Sequence, residues 1–358
     1  MKQLTIIVTF ISMVLSISSF HVLADEKTDA TKILIIKANN DYFKRSKHPS
    51  SDKRYTHGTS IGFIKKGTFF FLEKIGKQLQ KTLNCDDLYS SATLLQDIYT
   101  SDNIEDLIPA IDEHPYSGEM DMIIGLHLRK NDHPFFHFDQ QTLYSAAVSL
   151  GATGKYSFAK NSQTEVHRLI GDTLPEGWDY QLASHFAAKL SLSVKKKFSY
   201  TLQKDWGLSL QKTFHMNGDL GNTLVQGAIG VELRIGLNLP DDFGLYAQGA
   251  GNTGSSAQGD DGVITSSGDR IGFYMILLAE GRYVNDNYHI GEDVTAIKGI
   301  GELGVGAGIA TSRWKVPLLP IEMPAIKIEI CYIRQTEEFK EQDGPHRYGT
   351  FSIVAPLD

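Results

Sequence analysis

From Val225 to Leu239 every odd position is apolar or glycine, and the even positions, Gln226, Ala228, Gly230, Glu232, Arg234, Gly236 and Asn238, are polar or small. A two-residue period puts successive side chains on opposite faces of an extended strand. The same period runs through Phe186, Ala188, Leu190, Leu192 and Val194 against Lys189, Ser191, Ser193 and Lys195. It recurs in Met120, Met122, Ile124, Leu126 and Leu128 against Asp121, His127 and Arg129. These runs exceed the usual strand of about 5–6 residues. Further strand-like segments lie at 33–37, 54–64, 93–100, 206–217, 242–249, 268–283, 294–313, 325–338 and 346–354. Residues 70–84 have mixed helical spacing and read as a short surface helix or a loop.

Two architectures produce such strands. A soluble sandwich turns the apolar face into a core, whereas an outer-membrane barrel turns it into lipid and the polar face into the lumen. Strand length favours the barrel, because a tilted membrane-spanning strand needs roughly 9–11 residues. The expected fold is all-β: a transmembrane antiparallel outer-membrane β-barrel of about 12 strands, one domain over residues 25–358. The chain closes on Pro356-Leu357-Asp358 rather than on the terminal aromatic common in such barrels.

Residues 1–24 carry Lys2, an apolar run from Ile6 to Phe20 and a Val22-Leu23-Ala24 cleavage site, the anatomy of a secretory signal. Asp25 to Thr31 reads as a charged, disordered opening. Signal cleavage takes the net charge from −7 to −8, since one lysine and no acid is lost. An acidic chain argues against sequence-independent nucleic-acid binding. No later segment has 18 consecutive apolar residues, so no spanning helix is expected. Export permits a bond between Cys85 and Cys331, but spacing does not decide it.

Candidate chemistry is sparse. Asn40-Asp41, at the end of the first strand, is a hard-cation or oxyanion site, or an Asx-type turn. Tyr55-Thr56-His57-Gly58 is an ordinary strand entry, or a hydroxyl placed to orient a carbonyl or a water. The segment 150–182 is polar and glycine-rich and holds His167, a general base or a solvated loop histidine. His48, His114, His133 and His137 read as loop residues, and His127 as a lumen residue. There is no G-x-S-x-G elbow, no H-E-x-x-H and no glycine-rich phosphate loop. Ser184 and His185 are adjacent, but strand neighbours face opposite sides. A water nucleophile is therefore expected over an acyl-enzyme.

Six ordered blocks resemble one family, the outer-membrane lipid A 3′-O-deacylases of Gram-negative bacteria. Asn40-Asp41 matches its N-D, and DKRYTHG (52–58) its D-R-Y-Y-T-N-G. HPYSGE (114–119) is similar to W-P-Y-A-G-W. Residues 153–182 follow its block with Q-x-x-x-H and P-x-G-W-x-x-Q-L, and 233–244 and 338–353 resemble two later blocks. The resemblance implies a 12-stranded barrel with its active site near the outer leaflet. It implies calcium-dependent hydrolysis of the ester holding the 3′ acyloxyacyl group of lipid A. By position, His167 would be the base on water, Asp41 would hold Ca2+, and Asn40 and Thr56 would assist the ion or the oxyanion. Asp172 would be the second acidic ligand, with Glu176 and Glu165 as alternatives. This sequence departs from the pattern at His57, His114 and Glu119. The implied partner is lipid A within lipopolysaccharide, and the expected unit a monomer. A passive porin or adhesin, and a phospholipase-type serine esterase, are the competing readings. Lys195-Lys196-Lys197 is a basic patch for an anionic lipid, or a solvated hairpin turn.

Overall fold

In the computed structural model the alternation becomes a closed ring of twelve strands. The structure describes residues 32–41, 54–244, 271–311, 314–315, 322–323 and 325–357. The signal segment, Asp25 to Thr31, His48 and residues 245–249 lie outside the described residues. The strands are β1 (Lys32–Asn40), β2 (Arg54–Lys66), β3 (Asp87–Thr100), β4 (Ser117–Phe135), β5 (Phe138–Thr153) and β6 (Phe186–Gln203). They continue as β7 (Leu208–Gly221), β8 (Leu224–Leu237), β9 (Gly272–Asn287), β10 (Gly299–Thr311), β11 (Ile326–Gln335) and β12 (His346–Pro356). Each pairs antiparallel with its chain neighbour, and β12 closes on β1 from Ile33↔Pro356 to Asn40↔Gly349. The ladder to β1 carries the last strand to Pro356.

The two faces are inverted relative to a soluble core. Along β8, Glu232 and Arg234 are buried, while Ile229 and Ile235 are exposed. Along β6, Lys189, Ser191, Ser193, Lys195 and Lys197 are buried and Leu190 and Leu192 exposed. A polar interior with an apolar wall is the solution for a barrel crossing a bilayer. Lys195 and Lys197 therefore point into the lumen, and Lys196 pairs with Asp132 at 2.5 Å. Neither an external basic patch nor a hairpin turn describes this run: it lies within β6.

The lumen is crosslinked. Arg234 binds Glu232, Asp242 and Glu329, each at 2.6 Å, and Lys327 pairs with Asp242. Asp242 belongs to the segment after β8, which folds inward. Gln211 donates to the Pro240 carbonyl, and Lys197 and Arg129 pair with Asp241. Residues 242–244 thus plug the barrel rather than extend a strand. His127, in the same lumen, is held between Ser91 and Ser145, each at 2.9 Å.

Lys32 and Pro356 lie on one rim; the connections after β1, β3, β5, β7, β9 and β11 share the other. On the termini rim, α1 (Glu73–Leu83) rests on the outer wall, its Leu79 and the preceding Leu72 against Leu88, Leu126 and Leu128. Phe70 before it is 88% exposed. Cys85 follows α1 and Cys331 lies buried in β11; both are free.

Candidate active site

The opposite rim gathers the residues singled out in the sequence. Asn40 ends β1 on the lipid-facing side, paired with His57 across β2. Its Nδ2 donates to the Thr56 carbonyl (3.2 Å) and to His57 Nδ1 (3.4 Å). An accepting Nδ1 makes Nε2 the protonated nitrogen of His57, which then donates to Thr59 Oγ1. The β2–β3 register shifts between Tyr55 and His57, leaving Thr56 as the extra residue of a bulge. Bulges re-aim a side chain: here the Thr56 hydroxyl meets Thr100 Oγ1 at 2.7 Å. Asp41, next to Asn40, is fully buried. From the lumen side, Asn39 donates to the Tyr55 hydroxyl (3.0 Å), which donates to Asp97 (3.1 Å), and this brace stiffens the strand ends.

The long connection between β5 and β6 supplies the second half. It contains a helix, α2 (Ala159–Ile170), where the sequence showed only a polar segment. Its buried residues are Ala159, Gln163 and His167, spaced by four, so one face meets the barrel wall. Ala159 packs with Ile98 of β3, Tyr116 and Trp178. Trp178 has no exposed surface and donates its indole N–H to Gln163 Oε1 at 2.8 Å. Gln96 on the outer face of β3 donates to the Ser157 carbonyl at 2.6 Å. A Cβ on Gly118 would lie 2.3 Å from Ala159 Cβ, so only glycine lets β4 approach the helix start. Gly171, at φ 72°, ends the helix in the left-handed region that glycine favours. Ile98 under α2 and Thr100 against Thr56 are two residues apart on one face of β3, which ties the halves of the site together.

His167 Nδ1 bonds the Thr173 carbonyl. A carbonyl only accepts, so Nδ1 carries the proton and Nε2 is the basic nitrogen of the neutral ring. The other acids of the segment are placed differently. Asp172 accepts the Thr173 N–H at 2.8 Å, shaping the turn that holds His167. Glu165 is exposed and pairs with Arg168, and Glu176 is exposed beside the β3–β4 loop. Among the described residues no three His, Cys, Asp or Glu side chains cluster as metal ligands. Gln163 was missed in the sequence reading. The Q-x-x-x-H spacing, one helical turn, was the available signal.

The lipid side of this site is apolar. Leu169 is 82% exposed on the outer face of α2, and Leu107, Ile108 and Ile111 are exposed on the neighbouring β3–β4 loop. His114 of that loop turns inward and stacks on Tyr99 at 5.3 Å; Glu119 turns into the lumen, accepts His289 Nε2 at 2.6 Å and attracts Lys189. Ser117 donates to His289 Nδ1 at 2.8 Å, giving a Ser117–His289–Glu119 chain that resembles a serine esterase relay. Ser117 has no exposed surface, so the chain braces the lumen rather than meeting an ester.

A membrane-crossing barrel with a polar lumen and an apolar outer wall is an outer-membrane protein. Comparison with known proteins narrows the class. The family model described as outer membrane protein LpxR matches residues 8–356. The chain therefore belongs to the LpxR family, the outer-membrane lipid A 3′-O-deacylases, and resides in the bacterial outer membrane. The structure of LpxR from Salmonella typhimurium superposes with a TM-score of 0.63 at 17% identity, over 90% of this chain and 99% of that one. The transport unit of the autotransporter AIDA-I from Escherichia coli gives a TM-score of 0.38 at 8% identity, over 97% and 96% of the two chains. A search of curated proteins returned no match.

Proposed function

We propose that this barrel hydrolyses the ester joining the 3′ acyloxyacyl group to lipid A, with water as the nucleophile and His167 as its general base. One observation carries the reading. A histidine with its Nδ1–H committed to the Thr173 carbonyl is buried between α2 and the lipid-facing barrel wall, ringed by apolar residues exposed to lipid. A group so placed meets a membrane lipid rather than a soluble substrate. Nε2 takes a proton from water, and the oxygen that results attacks the ester carbonyl carbon. The proton then passes to the leaving sugar oxygen, releasing a fatty acid and a hydroxyl group. General-base assistance of this kind contributes roughly 10²–10⁴-fold. Gln163, anchored by Trp178, offers an amide N–H donor one turn from His167, and Thr56 a hydroxyl. Asn40 holds the Thr56 backbone in register.

The donor set around Asp41 fits a calcium ion. Asp41 is a fully buried carboxylate next in the chain to Asn40, whose amide reaches the Thr56 carbonyl, and carboxylate, amide and carbonyl oxygens are hard ligands. Asp41 would be the main acidic ligand, with Asp172 as the proposed second. Bound there, Ca2+ would supply positive charge to the ester carbonyl. One barrel carries every group named, so we assign the monomer as the working unit. Purified protein stripped with EGTA should lose lipid A hydrolysis and regain it with Ca2+, while Asp41→Ala stays inactive at the same Ca2+. Full activity in EGTA would overturn the calcium assignment.

A further inference from the structure

We propose that Arg334 and Arg347 form the subsite for a phosphate group of the lipid substrate, an inference that rests on the lipid A reading above. The two arginines are direct cross-strand partners between β11 and β12. Both are exposed and share the lipid-facing side with Ile330 and Tyr332. Like charges directly opposite each other in a sheet are destabilising. Among the described residues neither forms a hydrogen bond or an ion pair. Glu280, Glu302 and Glu337 also line the groove that Arg334 lines, and none of them bridges to either arginine. An unrelieved pair of cations on an otherwise apolar wall is the arrangement that one shared anion neutralises. The guanidinium fork suits phosphate oxygens.

The pair stands beside the candidate active site. Gly349 of β12 is the partner of Asn40, and Arg347 lies two residues further toward the rim on the same face. Arg347 is therefore the diagonal neighbour of Asn40, a separation of roughly 7–8 Å in sheet geometry. On the other side Arg334 is paired with Leu303 of β10. There a groove of about 850 Å³ opens in the wall, floored by Gly281 and Gly301 and flanked by Phe214, Ile229 and Leu303. A phosphate held by the arginines puts one acyl chain in this groove and leaves the scissile ester toward Asn40. Lys195 and Lys197 point into the lumen and are unavailable for this role.

The test uses the purified full barrel in detergent with two probes, bisphosphorylated lipid A and the same lipid after phosphatase treatment. Acyl release gives KM and kcat, and native mass spectrometry gives lipid retention. Arg334→Gln/Arg347→Gln should raise KM for the phosphorylated lipid by about tenfold or more, the loss expected for a charge-assisted contact. It should leave kcat within about twofold and the phosphatase-treated lipid unaffected, and Arg334→Lys/Arg347→Lys should recover part of the loss. An unchanged KM, or equal losses for both lipids, overturns the proposal. Wild type that releases no acyl chain refutes the lipid A reading instead. Retention then decides the subsite: an arginine-dependent preference for the phosphorylated lipid upholds it, and equal retention of both probes overturns it. An equal arginine-dependent gain for phosphatidylglycerol would overturn the assignment to the substrate.

Discussion

Replacing Gly118 by alanine probes whether α2 is held at a working distance from the wall. A Cβ there would sit 2.3 Å from Ala159 Cβ and 2.4 Å from Ser157 Oγ. Carbon atoms pack at about 3.5–4.0 Å, so the helix start must retreat by more than about 1 Å. Gln163 and His167 lie four and eight residues along the same rigid face and move with it. A displacement of about 1 Å in a positioned catalytic group costs on the order of 10²-fold in rate. The added methyl leaves the β3–β4 ladder intact, including Ile98↔Gly118, so the barrel should fold as before. The assay pairs acyl release from lipid A with the heat-dependent gel shift of a folded barrel. Wild-type rates in folded Gly118→Ala would refute the argument that helix placement controls the site.

Other outcomes follow from single contacts. Trp178→Phe removes the 2.8 Å bond to Gln163 and should lower kcat by about tenfold with the barrel intact, read in the same assay. Asp242→Asn leaves Arg234 and Lys327 short of a buried anion and should lower barrel stability by about 3–5 kcal/mol, measured by urea unfolding in detergent. Burial holds His114 in its neutral form, pushed down from 6.5 to about 4. Its contribution is complete above pH 6.5 and is lost as pH falls toward 4, because the unfolded loop takes up the proton first. Hydrogen exchange across residues 101–116 should rise over that window, and His114→Phe should flatten the rise. Serine-directed reagents should leave hydrolysis unaffected, since Ser117 has no exposed surface; covalent labelling of Ser117 with loss of activity would contradict this.

The barrel was readable because lipid and lumen impose opposite demands at every second residue, and β6 obeys them from Phe186 to Lys197. The helix carrying His167 was not. Its buried residues, Gln163 and His167, are polar, and its outward face mixes Val166 and Leu169 with Lys160, Glu165 and Arg168, so no apolar stripe marks it in the sequence. The Thr56 bulge is set by the registers of three strands, which local sequence does not encode. Lys195 and Lys197 continue the polar phase of Lys189, Ser191 and Ser193 and turn inward; Lys196, on the opposite phase between them, makes the run resemble surface charge. The inward fold of residues 239–244 depends on Arg234 and Lys327, the latter far along the chain.

The central claim is tested most directly by mass spectrometry of lipid A from cells making either the wild-type protein or His167→Ala, grown with calcium. Wild type should remove one acyloxyacyl unit from the 3′ position, and His167→Ala, folded as a barrel, should leave lipid A intact. Unchanged lipid A in the presence of folded wild type, or equal removal by both proteins, would contradict the account.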